Sequence, residues 1–312
     1  MKRAMIWMLL FLILAACGST AAGESDTVSY KSVTVDRNTE YVDLGKINVT
    51  DWNGFYDFLR QLPNLKKVDM YGSVINLNAH KEMLEMFPEL EVGTQIRLKG
   101  RRFRTDITAF STLVMEGDTS TLISYDEAEM LSIRCKNLYG LDIGHNKVKK
   151  LDFLYNMPQL RVLIVAICDL TDITPIASLK HLEYLEIFHN RIEDLSPLED
   201  LPYLMDLDIV KNKVEDLTPL TKIKSLKRLW IYWNNYPDSP TAEQVAELQA
   251  ALPDCHIDYE STSTGGGWRK DPHYEVIYKM FRKKTYEPFA DSDPENLPEP
   301  WKSERMNNTQ QD

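Results

Sequence analysis

Three carboxylates stand at a spacing that invites acid–base chemistry. Glu186 and Asp208 are 22 residues apart, and Asp142 precedes Glu186 by twice that interval. If each 22-residue unit is one coil of a stacked chain, equivalent positions fall on adjacent parallel strands about 4.8 Å apart. Retaining glycosidases need two carboxyl groups at about 5 Å, so Glu186 and Asp208 meet the distance criterion. A ladder of side chains open to water, with no pocket to raise one pKa, does not meet the electrostatic one. No enzymatic activity and no cofactor are therefore expected. His145 and His189 share another column with Ile167 between them. Two coils put them about 9.6 Å apart, too far for one metal ion. Cys135, Cys168 and Cys255 match no zinc or disulfide spacing and read as buried free thiols.

The elements that must hold these residues announce themselves by repetition. Leu138, Leu160, Leu182, Leu204 and Leu226 follow one another at intervals of 22, and each begins the pattern L-x-x-[LI]-x-[IV]. Eight residues after each leucine stand Asn146, Cys168, Asn190, Asn212 and Asn234. A short strand points its leucines inward and the chain bends at the asparagine, whose amide satisfies the backbone groups freed there. Pro175, Pro197 and Pro219 on the return side favour a tight turn or a single turn of helix. One coil cannot bury both of its sides, so stacking must supply the core.

This pattern resembles the 22-residue bacterial leucine-rich repeat found in internalins. The resemblance implies an α/β solenoid: a right-handed horseshoe with parallel concave strands and short 3-10 or helical convex segments. It also implies binding through the concave face, as internalins bind host surface proteins. The inward leucines leave the second, fourth and sixth residues after the first leucine on that face. The candidate partner-binding set is Tyr184, Glu186, Phe188, Asp206, Asp208, Arg228, Trp230 and Tyr232, because exposed aromatics beside carboxylates are what interface hot spots use. The partner expected is an extracellular or surface protein, with glycan capture as the alternative. Another reading is that the tail helix or an edge strand covers some of these aromatics.

Helical periodicity over 51–62, 79–87 and 241–252, each followed by a proline and a strand pattern, marks degenerate repeats at both ends. The expected organisation is a flexible tether over 17–38, an N-terminal region of degenerate repeats and cap over 39–137, and regular repeats over 138–237. A helix–strand repeat over 238–260 follows, then a Gly-rich hinge and amphipathic helix over 261–289, and a disordered tail over 290–312. The helix carries Tyr274, Ile277, Tyr278 and Phe281 on one stripe, which fits a cap on the last coil or a partner-binding surface.

At the N-terminus Lys2 and Arg3 precede an uncharged run to Ala16 that is short for the ~20 residues of a membrane span. Its end, Leu14-Ala15-Ala16-Cys17, resembles the bacterial lipobox. The resemblance implies a signal peptide over 1–16, lipidation at Cys17 and a place on the outer face of the cytoplasmic membrane. The order of modules resembles surface lipoproteins of Gram-positive anaerobes. The net charge of −11 becomes two units more negative once Lys2 and Arg3 are removed. Such a balance excludes a nucleic-acid partner and a polybasic grip on lipid, leaving the acyl anchor as the membrane contact. The chain is read as a monomer.

Overall fold

The computed structural model describes residues 26–73, 75–113, 122–234, 240–260 and 267–309. Cys17 and the leader before it lie outside the described residues. The chain begins with an antiparallel hairpin, β1 (Thr27–Tyr30) and β2 (Val33–Asp36). Its Tyr30 ring packs 5.1 Å from that of Phe55 and 5.4 Å from that of Phe58. Much of the segment expected as a tether is therefore structured: the alternation through Val28, Tyr30, Val33 and Val35 gives the hairpin an apolar side to lay on a helix.

Two parallel sheets follow. The first joins β3 (Tyr41–Asp43), β4 (Lys67–Asp69) and β5 (Glu91–Gly93). Helices α1 (Trp52–Arg60) and α2 (Leu77–Met86) are its return segments. Asp51 and Asn76 cap these helices, accepting from the amides of Gly54 and Ala79. Phe55, Phe58, Leu59 and Met83 fill the space against Val42, Val68 and Val92. An antiparallel hairpin, β6 (Gln95–Leu98) and β7 (Arg101–Arg104), then breaks the register.

The second sheet has seven strands. After β8 (Ala109–Ser111) and α3 (Tyr125–Arg134) come β9 (Gly140–Asp142), β10 (Val162–Ile164), β11 (Tyr184–Glu186), β12 (Asp206–Asp208) and β13 (Arg228–Trp230). The α4 helix (Ala242–Ala251) leads into the last strand, β14 (His256–Asp258). From β9 to β13 each residue pairs with its equivalent 22 positions on. The return side consists of 3-10 turns at Asp152–Asn156, Thr174–Ser178, Ser196–Leu198 and Thr218–Lys222. The last three have proline in their first positions, where its missing N–H costs nothing. One continuous core of the repeat leucines and isoleucines runs between sheet and turns.

The bend after each strand is held by side-chain amides. Asn190 accepts from the backbone amides of Cys168 and Leu170, both at 3.0 Å, and donates to the carbonyls of Val165 (3.0 Å) and Ile187 (2.9 Å). Asn212 and Asn234 donate in the same way to their own and the preceding coil. Cys168 occupies the same slot, and its thiol lies 3.4 Å from the carbonyls of Ile143 and Ala166. The residue just before each rung, His145, Ile167, His189, Lys211 and Trp233, has φ between 53° and 61°. A left-handed conformation costs a non-glycine residue roughly 1–2 kcal/mol, and the asparagine bonds offset it in every coil.

The C-terminal segment departs most from expectation. A 3-10 turn at Trp268–Lys270, α5 (Pro272–Lys283), another 3-10 turn at Pro294–Asn296 and α6 (Trp301–Thr309) run across the far face of the seven-stranded sheet, the side away from the return turns. The expected disordered tail is ordered to residue 309, because Phe289, Leu297 and Trp301 give it apolar surface to bury. The α5 helix packs against β8 and β9, not the last coil. It buries His273, Ile277, Met280 and Phe281 and leaves Tyr278 half exposed, so its buried stripe is rotated from the one expected. No described helix is long and apolar enough to cross a membrane.

Candidate functional site

The far face of the seven-stranded sheet carries the expected site residues, and the chain itself lies on them. Tyr184, Glu186, Phe188, Asp206, Asp208 and Trp230 are all buried, while Arg228 and Tyr232 are partly so. The burying partners are Trp268, Ile277, Met280, Phe281, Tyr286 and Phe289. The open aromatic surface read from the sequence is thus half of a second apolar core. Of the two alternatives, cover by the tail is the one the structure adopts.

Close packing explains the small residues of the face. A Cβ on Gly140 would stand 2.9 Å from the Met280 sulfur, and one on Gly267 would stand 3.2 Å from the Trp230 ring. Tyr184 lies between Trp268 (centroids 5.2 Å) and Phe289 (6.0 Å), and Trp230 meets Trp268 edge-on at 5.0 Å. Such pairs add about 0.5–1.5 kcal/mol each beyond the area they bury.

Polar groups fasten the same segment. The Trp268 indole donates to Glu186 at 2.7 Å, and the Tyr184 hydroxyl donates to the same carboxylate oxygen. Asp206 pairs with Arg228 and, at 2.8 Å, with His273, whose other ring nitrogen meets Asp291 at 2.7 Å. Further along, Asn296 donates to Glu183 at 2.6 Å, and Ser292 shares that carboxylate.

The carboxylates that invited an enzymatic reading are sealed. Burial pushes Glu186 up, against the bonds from Tyr184 and Trp268, and pushes Asp208 well above the usual carboxylate range, with the Glu186 charge adding to it. Asp142 is pushed up to about 7 by burial, against the bonds it accepts from Ser111 (2.6 Å) and the Gly144 amide (3.1 Å). A substrate has no approach to them while the segment is in place. Asp206, Asp271 and His273 bring possible ligand atoms within 4.8 Å of one another. Arg228 stands among them, bonded to Asp206, beside the His273 ring and 3.7 Å from Asp271, and supplies the positive charge a metal would. His145 and His189 stay exposed in one column with Ile167 between, as expected.

What remains open on the repeats is a flank. A groove of about 1060 Å³ runs along the bends after β11, β12 and β13, lined by His189, Glu193, Lys211, Lys213, Asp216 and Trp233. Lys211 sits over the Trp233 ring at 4.7 Å, and Tyr232 stacks on it at 5.2 Å. The sequence reading missed this groove because it lies at the bend, off the strand positions it weighed. It also missed Trp268, His273 and Phe289, which lie in the hinge and helix segment over 261–289 but outside the stripe of Tyr274, Ile277, Tyr278 and Phe281 that it weighed.

Comparison with known proteins agrees with the repeat architecture. Residues 158–200 match the family described as leucine rich repeats in two copies. No curated protein sequence matches the chain. Among solved structures, internalin C2 of Listeria monocytogenes is similar at 18% identity and a TM-score of 0.39, covering 74% of this chain and 87% of its own. An internalin (inlF) of the same organism shows 19% identity and a TM-score of 0.37 over 74% of this chain and 51% of that one. A leucine-rich repeat protein of Leptospira interrogans shows 21% identity and a TM-score of 0.42 over 70% and 54%. The chain carries leucine-rich repeats, a fold that typically serves protein–protein interaction.

Proposed function

We propose that this protein is a non-catalytic binding module, held outside a bacterial cell by a lipid on Cys17, which engages a surface or extracellular protein through the flank of a right-handed, curved repeat array. The observation that carries the reading is the contrast between the covered far face and the open groove beside Trp233. A partly buried indole with a cation over its ring and charged neighbours has the chemistry of an interface anchor. The handedness follows the rule for parallel strands joined by crossovers. The lipid and the place at the membrane rest on the lipobox-like residues Leu14 to Cys17. Sealed carboxylates and a His273 held between Asp206 and Asp291 favour binding over catalysis.

Cross-linking followed by capture on intact cells tests it. The variant carrying Trp233→Ala and Lys211→Ala should lose the proteins that the wild type captures. A Tyr278→Ala variant, altered on the exposed side of α5, should retain them. Equal capture by the groove variant and the wild type would overturn the flank assignment, as would a glycan array giving the stronger signal.

A further inference from the structure

Where the N-terminal sheet meets the regular coils, a cavity of about 620 Å³ has walls from Leu84, Pro88, Leu90 and Val92 on one side and from Tyr139 and Trp301 on the other. His80 and Arg134 also line it, and both carry polar atoms that nothing satisfies. His80 is 1% exposed, and neither ring nitrogen has a hydrogen-bond partner. Arg134 is 7% exposed; its Nη2 donates to the Ile75 carbonyl at 2.6 Å, while its Nε has no acceptor. Among the described residues no carboxylate pairs with this guanidinium.

A guanidinium keeps its proton under these conditions, so burying it without an anion leaves its charge uncompensated. Two acids on the cavity wall are already engaged elsewhere: Glu91 and Asp106 with Lys67, and Asp106 also with Arg104. Burial, then Arg134 and Lys136, push His80 down to about 4, so its imidazole is neutral and offers one donor and one acceptor. The wall also carries Lys66, Lys136, Glu89, Glu91, Asp106 and Glu299, yet the Arg134 guanidinium and the His80 ring are the groups on it whose buried polar atoms lack partners, and a carboxylate beside the apolar patch of Leu84, Leu90 and Trp301 would satisfy them.

We propose that this cavity binds a small monocarboxylic acid with an apolar body, its carboxylate turned to Arg134 and His80 and its body laid against Leu84, Leu90 and Trp301. Glu89 and Glu299 also line the cavity and disfavour a more highly charged anion such as phosphate. The volume lies within the ~300–1,000 Å³ usual for small-molecule sites. The site is separate from the flank groove, so either proposal can fail alone.

The test is calorimetric titration of the purified protein with benzoate, benzyl alcohol and inorganic phosphate, together with an NMR titration of the histidine rings. Benzoate should bind at least ten-fold more tightly than the other two and should raise the His80 pKa, since an adjacent carboxylate favours the imidazolium. Arg134→Gln should weaken benzoate binding at least ten-fold. Because that variant alters a buried position, Trp301→Ala serves as a second: it should weaken benzoate several-fold while leaving the His80 pKa of the free protein where it was. Benzoate binding no better than benzyl alcohol, or phosphate binding more tightly, would overturn the proposal. So would benzoate binding that both substitutions leave unchanged.

Discussion

The two parallel sheets have the same backbone and opposite fates. In the N-terminal sheet the far-face columns read Tyr41, Lys67, Glu91 and Asp43, Asp69, Gly93. Ion pairs close it: Lys67 with Glu91 (2.5 Å) and Asp106 (2.9 Å), and Arg104 with Asp69 and Asp106 (both 2.6 Å). In the seven-stranded sheet the same columns hold Val162, Tyr184, Ile164 and Trp230 beside Asp142, Glu186, Asp206 and Asp208. Charges that pair across neighbouring strands can face water, whereas a broad run of aromatic and aliphatic side chains cannot be left there cheaply. The strand geometry is therefore neutral about ligands, and the composition of the far face decides whether the chain must cover itself.

The largest expected effect comes from uncovering that face. Trp268→Ala removes a buried indole, two ring contacts and the bond to Glu186, and should cost about 3–5 kcal/mol. Denaturant melts would register the loss, and dye binding would report the exposed apolar face. If stability and dye binding stayed at wild-type levels, the contrast between the two sheets would collapse.

An effect of similar size sharpens the comparison through pH. The Asp142 pKa is raised on folding, so its contribution is fully present below the ordinary carboxylate range and is lost as pH rises through about 7. Asp142→Asn should therefore gain about 4 kcal/mol relative to wild type at pH 8.5 and almost nothing at pH 4. A gain that did not depend on pH would show that Asp142 is not held protonated. Next in size is a rung of the amide ladder that serves the repeats beneath: Asn190→Ala leaves the Cys168 and Leu170 amides without acceptors and should cost about 2–3 kcal/mol. The smallest effect belongs to the N-terminal sheet. Arg104→Gln should cost about 1 kcal/mol at low salt and less at high salt, because the Arg104 side chain itself is 33% exposed.

Much of the repeat architecture was legible in the residues alone. Leu160, Leu163 and Val165 name the inward positions of one coil, Cys168 its bend, and Pro175 its return turn, because each depends on contacts within one repeat or with the next. The three thiols are buried and free for the same local reason. The candidate site was legible only as a set of positions. The repeat pattern places Tyr184 and Trp230 on the far face but leaves open whether a partner or the chain's own tail meets them there.

What covers them is a pairing between residues far apart in sequence. Trp268 meets Glu186 and Ser292 meets Glu183 across more than 80 residues, and nothing periodic links them. Gly140 reads as a weak strand residue until Met280 is seen beside it. The period of the sequence determined which side chains point inward, which point outward and where each coil turns, since a 22-residue register repeats the same local geometry. Only the tertiary structure decided that the outward aromatics are core, because burial of that face depends on a segment whose own amphipathic stripe specifies that it must pack without specifying where.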